Sequence, residues 1–477
     1  MSSILKHKNF IFYSILTLFI AANAALLWGE FYWFPALPVL VGVLLLALLR
    51  LDKFIILIAF LTPVSIPLEE LDLGAALSLP SEPLIITAMM IFVGRTLITG
   101  NYDVRILRHP ISIAIIISFV WMLFTSVTSS LPIVSIKSFI SRFWFISTFY
   151  FLGIEIFRKK QNIEKFLWAH ILGLLGIIIT TTYIHSTWNF EKNPAHWVMN
   201  PFYNDHTAYG MIIAMFLPVL FGIAFNNRYN SSLKILVFIA LIIYIVAFRL
   251  SNSRAAWVSL IGGIGVFFIY YLRIKWYTVA IVGVIGLFFF STIQEQLLIR
   301  LERNKQDSSE NLEEHIQSIS NIKTDASNLE RINRWNCAIA MFKDRPVLGF
   351  GPGTYKFEYA QFQKAKDKTI ITTNAGNRGT AHSEYLLVLS EQGLPGLIIL
   401  LSSIIAILHT GSVVYNSTAE HKSRQIALWL IVGFVTYWIH AFLNNFLETD
   451  KASVPYWAFA GILVALQLYH TPKEIGN

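Results

Sequence analysis

A chain of 477 residues that is 55% hydrophobic and 14% charged, with a mean hydropathy of +0.58, is too apolar for a water-soluble globule of that size. The net charge of +9 carries no nucleic-acid inference, because the basic residues gather in short loops between apolar segments. One cysteine, Cys337, excludes an intrachain disulfide and a Cys-based metal site.

The apolar segments are long enough to cross the roughly 30 Å hydrocarbon core as helices. They lack the alternation of a membrane β-barrel. The expected fold is therefore an all-α polytopic membrane protein with about 12–14 transmembrane helices. Candidate spans fall near 9–27, 33–49, 54–68, 80–99, 110–128, 136–157, 165–184 and 206–225. They continue near 233–249, 255–272, 276–293, 384–409, 426–443 and 453–470. The short, Pro-containing segment 54–68 reads as a span or as a re-entrant element. The first segment has a basic start, Lys6 and Lys8, but no small-residue cleavage site, so it reads as a retained helix.

Lys and Arg in the short loops set the orientation. One set of loops collects Lys6, Lys8, Arg50, Lys53, Arg95, Arg105, Arg108, Arg158, Lys159, Lys160 and Lys165. Arg228, Lys234, Arg273, Lys275, Lys422, Arg424 and Lys473 complete it. The opposite loops hold only Lys137, Arg142, Lys192, Arg249, Arg254 and Lys451. Both termini are thus expected in the cytoplasm and the one large loop outside, in the periplasm or its equivalent. The chain divides into an N-terminal bundle (1–293), a large periplasmic loop containing short helices (294–383) and C-terminal helices (384–477).

Within the loop, Asp307 to Asn328 is polar and rich in Ser, Asn and Glu. After it, Leu329, Ile332, Trp335, Ala338, Ile339 and Phe342 recur at helical spacing, with Arg331 and Arg334 together on one flank. The pattern predicts an amphipathic helix on the membrane surface or the bundle, ended by Asp344-Arg345-Pro346. Gly349-Phe350-Gly351-Pro352-Gly353 lacks the Gly-Lys-Ser/Thr ending of a phosphate loop, so it reads as a tight turn needing positive φ.

His382 precedes the apolar run Leu386 to Leu389 of a spanning helix, with Ser383 or Thr380 as the cap. The helix dipole there favours neutral imidazole, the form that accepts a proton from a hydroxyl. A surface-bonded histidine is the plainer alternative. Arg254, in Ser251-Asn252-Ser253-Arg254 at the start of a span on the same outer side, suits phosphate oxygens or a snorkelling role.

Ser253-Arg254, Arg334-Trp335, Asp344 to Gly353, Ala381-His382-Ser383-Glu384-Tyr385-Leu386 and Glu391-Gln392-Gly393-Leu394-Pro395-Gly396 together resemble the O-antigen ligase/polymerase superfamily. Asn200 to His206 is a weaker match. Members commonly show His-Asn where this chain has His382-Ser383. The resemblance implies an inverting, metal-independent glycosyltransferase using an undecaprenyl-diphosphate-linked glycan and no cofactor. It implies His382 as base, Arg254, Arg334 and Arg331 on the diphosphate, and Arg378 as a further helper. The acceptor is lipid A-core for a ligase in lipopolysaccharide biosynthesis, or a growing glycan for an O-antigen or exopolysaccharide polymerase. A protein O-oligosaccharyltransferase of the same superfamily would use Ser or Thr. The rival class is a polysaccharide or lipid transporter (flippase), which calls for mid-span ionisable groups and repeated broken helices. The partners expected are the lipid-linked donor, that acceptor and membrane lipids, with no nucleic acid.

Overall fold

The computed structural model describes residues 2–30, 34–68, 77–225, 231–275, 278, 281, 326–365, 379–418 and 420–471. Two compact units divide the chain, Met1–Ile55 and Ile56–Asn477. The first holds α1 (Ser2–Trp28) and α2 (Leu37–Leu49), whose large apolar side chains are mostly exposed, as lipid-facing helices require. Across the boundary runs α3 (Leu51–Leu61).

In the second unit the main helices are α4 (Ser81–Thr99), α5 (Pro110–Val127), α6 (Pro132–Phe157), α7 (Lys160–Thr187) and α8 (His206–Ala224). They continue with α9 (Ser231–Leu250), α10 (Arg254–Tyr271) and α11 (Ala326–Asp344). The last three are α12 (Glu384–Ser417), α13 (His421–His440) and α14 (Asp450–His470). Eight of the helices among the described residues are long and apolar enough to cross a membrane: α4 to α8, α10, α12 and α14. Helix α8 and helix α14 are the most buried and form the centre, while α4 and α10 turn most of their apolar surface outward. The fold is the all-α polytopic one expected. All but two residues of the expected span 276–293 lie outside the described residues, as does nearly all of Asp307–Asn328.

Two of the expected segments are not single full-length helices: 54–68 is too short to cross as a helix, in keeping with its re-entrant alternative, and 384–409 needs correction. Helix α3 covers only 11 residues, about 16 Å of rise, half the hydrocarbon thickness. Pro63 follows it, and the chain turns into a two-residue pairing of β1 (Ile66–Pro67) with β2 (Ser78–Leu79). Its end is held from within. Lys451 Nζ donates to the carbonyls of Thr62 (2.6 Å), Pro63 (3.2 Å) and Ser65 (2.6 Å), so a buried cation serves the C-terminal carbonyls of a half-helix.

The expected span 384–409 is two helices and not one. Gly393, at φ 67° and ψ −170°, breaks α12 into a short leading segment and a long trailing one. The break is built from both sequence motifs. Val347 O lies 2.1 Å from where a Cβ on Gly393 would be, and Leu394 N–H donates to Pro346 O at 2.9 Å. Phe350 N–H reaches Ser390 O (3.1 Å) and Gly351 N–H reaches Glu391 O (2.8 Å). Gly349, Gly351 and Gly353 all have positive φ, as the tight-turn reading requires. On its other side this turn meets the α5–α6 connection, where Ser130 N–H donates to Phe350 O at 2.9 Å. A Gly393→Ala substitution, with both positive φ and a backbone clash, is expected to cost about 3 kcal/mol or more. Gly176→Ala in α7, where nothing lies within 4 Å, should be neutral or mildly stabilising. Thermal unfolding of the two purified variants gives the comparison.

Candidate active site

The part of the large loop next to the bundle folds onto the start of α12. Cys337, Ala338, Met341, Phe350, Tyr355, Tyr359, Ala381 and Leu387 make one buried cluster. Helix α11 forms as its spacing predicts, but the buried face is rotated from the expected stripe. Glu330, Asn333, Arg334, Cys337, Ala338 and Met341 are buried, whereas Leu329, Ile332, Trp335 and Phe342 are only partly covered and Ile339 is exposed. The reason is aromatic cover from the following segment. The Arg334 guanidinium lies 3.9 Å from the Tyr359 ring centroid, and Tyr355 donates its hydroxyl to Arg334 O at 2.8 Å. This polar face is the one that the sequence alone would give to solvent.

Arg334 Nε donates to Glu330 Oε1 at 2.6 Å, one turn back on the same helix, and both side chains are almost fully buried. A buried pair of this kind orients the fork before any ligand arrives. Gly379 is part of the same fit, because a Cβ there would stand 1.8 Å from Arg334 Nη1.

His382 occupies the left-handed region at φ 48°, uncommon for a residue with a side chain. Three contacts hold it there. Trp335 Nε1 donates to His382 O at 3.2 Å, Ser383 caps α12 by accepting from Leu386 N–H, and Glu384 N–H donates to Ala441 O at 2.9 Å. Of the two caps considered from sequence, Ser383 is the one used. The imidazole is half-buried and its pKa is pushed down to about 4. Burial is the main cause, followed by the positive charges of Arg331 and Arg334, with Asp205 and a hydrogen bond to Asn444 opposing. Neutral imidazole was expected from the helix dipole. Desolvation and two arginines account for it instead.

The structure therefore brings His382, Arg331 and Arg334 together. Arg254 lies across from them, the first residue of α10 behind its cap Ser253, in electrostatic range of both His196 and His206. His206 is also in electrostatic range of Arg331 and Asp205. Arg378 lies outside the described residues.

Sequence reasoning missed four of these neighbours as site residues. His196 Nδ1 and His206 Nδ1 are 3.1 Å apart with their rings nearly perpendicular. Asp205 caps α8, accepting from Thr207 N–H at 2.7 Å and Ala208 N–H at 2.8 Å. Asn444 follows α13. His206 and Asp205 close the weaker motif Asn200 to His206, and Asp205 before an apolar run is a legible cap. Nothing local in the sequence marks His196 as a partner of His206, or Asn444 as a partner of His382.

A multi-helix membrane protein whose helix ends bring a neutral histidine among arginines is the class that fold and site define. Residues 239–401 match the family model described as O-antigen ligase. That match bears out the resemblance read from the motifs. No curated protein matches the chain.

Proposed function

We propose that the protein transfers a glycan from an undecaprenyl-diphosphate donor to an acceptor hydroxyl at the outer face of the bacterial inner membrane. The observation that carries this reading is the placement of a neutral His382 beside Arg331 and Arg334. His382 accepts the proton of the attacking hydroxyl. The hydroxyl oxygen bonds to the anomeric carbon as the bond to the diphosphate oxygen breaks from the opposite face, so the configuration inverts. The lipid diphosphate leaves with the electron pair, and Arg254, Arg331 and Arg334 stabilise its charge. Metal independence, the outward loop and cytoplasmic termini belong to the same reading. Of the acceptors, lipid A-core or a growing glycan is favoured over a protein, since the described part of the loop is committed to packing on the bundle.

The test is consumption of a lipid-diphosphate glycan by purified protein in detergent, where no compartments exist and a transporter has nothing to do. Turnover supports transfer, and none with any acceptor class sinks it. The pH profile adds a second readout. The folded pKa of His382 lies below the unfolded value of 6.5, so its neutral form is the native one. Stability from this group is whole above pH 6.5 and declines as pH falls towards about 4. The acid limb of kcat/KM should likewise sit near that value, well below the usual histidine range. With donor bound, the diphosphate offsets the arginines and the limb of kcat should lie higher.

A further inference from the structure

At the end of the helices opposite to His382, a half-open cavity of ≈ 930 Å³ lies between the end of α10, the trailing part of α12 and the start of α13. Ile431 and Val435 line it with apolar surface, and Tyr270 and Ser412 hydrogen-bond to each other along its side. Two arginines, Arg273 and Arg424, line the same cavity. Among the described residues neither makes an ion pair with a carboxylate, whereas nearby Lys422 is paired with Glu164.

Each arginine is placed against local preference. Arg273 follows the end of α10 at φ 53°, in a turn where Arg273 N–H meets Tyr270 O (3.2 Å) and Ile274 N–H meets Ile269 O (2.9 Å). That position normally takes glycine. A cation near a helix C-terminus gains from the dipole, which accounts for Arg273 alone. Arg424 stands in the first turn of α13, the end at which the dipole repels a cation, and its guanidinium lies 4.5 Å from the Tyr415 ring centroid. An anion held between the two satisfies both charges and the helix N-terminus together.

We propose that this cavity binds an anionic phospholipid, its phosphate on Arg273 and Arg424 and an acyl chain against Ile431 and Val435. The occupant follows from charge complementarity and depth. Arg273 follows the end of the membrane-length α10 and Arg424 lies just beyond the end of the membrane-length α12, where head groups lie, and basic pockets between transmembrane helices suit acidic lipids. A soluble anion would use the arginines and leave the apolar walls bare.

The test uses the full chain relipidated with phosphatidylglycerol or with phosphatidylcholine, and retained lipid is measured by native mass spectrometry. Phosphatidylglycerol should be retained in preference. Arg273→Gln and Arg424→Gln should each lower its retention about fivefold. Replacing both arginines with lysine keeps the charge and should keep most of the binding, which separates lost binding from lost folding. Val435→Trp should fill the cavity and reduce retention with both arginines present. Equal retention of the two lipids, indifference to the double Gln variant, or displacement by inorganic phosphate alone would each overturn the proposal. So would a peptide in place of lipid.

Discussion

His382→Ala is expected to lower turnover of the lipid-linked donor by about 10²–10⁴-fold, the usual worth of a positioned general base. The residue also carries a left-handed backbone, so an alanine there changes conformation as well as chemistry. His382→Asn separates the two. Asparagine tolerates the left-handed region yet cannot serve as the base. Both variants should be inactive, and the Asn protein should be as stable as the parent by thermal unfolding. In a host lacking the parent gene, surface polysaccharide should disappear while lipid-linked donor accumulates. Glycan of single repeats would then point to a lost polymerase, and unattached long chains to a lost ligase. Full activity from His382→Asn would remove the histidine from the mechanism.

Arg334→Gln is expected to damage folding and binding together, because it strands Glu330 as a buried carboxylate. Breaking one side of a buried pair costs about 3–5 kcal/mol. The double variant Glu330→Gln with Arg334→Gln leaves no buried charge, so it should recover most of the stability. It should not recover donor turnover if the guanidinium is needed at the diphosphate. The measurement is a pair of thermal unfolding curves beside turnover at saturating donor. Recovery of both stability and activity in the double variant would reduce Arg334 to a structural role.

The sequence speaks clearly wherever the physics is local. Helix α8 and helix α10 start where Asp205 and Ser253 offer cap oxygens, and α5 and α6 start at Pro110 and Pro132, each at the first position. The family motifs were likewise readable, and their glycines have the positive φ that a turn needs. What was not legible depends on partners far away in the chain. The buried face of α11 is set by Tyr355 and Tyr359, so apolar spacing alone selected the wrong stripe. The break in α12 depends on the carbonyls of Pro346 and Val347 meeting Gly393, a fit invisible in Gly393-Leu394-Pro395 by itself. Asn444 is an ordinary loop residue until the bundle buries it, and His196 one until His206 comes within reach of its ring.

The hold on His382 has a consequence for biosynthesis. The carbonyl that receives Glu384 N–H belongs to Ala441, and the side chain that bonds the imidazole belongs to Asn444. Both follow α13, about sixty residues after His382 in the chain. A nascent chain emerging into the membrane therefore has its arginines and its histidine long before it has the groups that fix the histidine's backbone. Until α13 is inserted, the left-handed turn at His382 lacks the Ala441 carbonyl and the Asn444 side chain that support it. The centre is completed near the end of synthesis, so a half-made chain displays the motif without the chemistry.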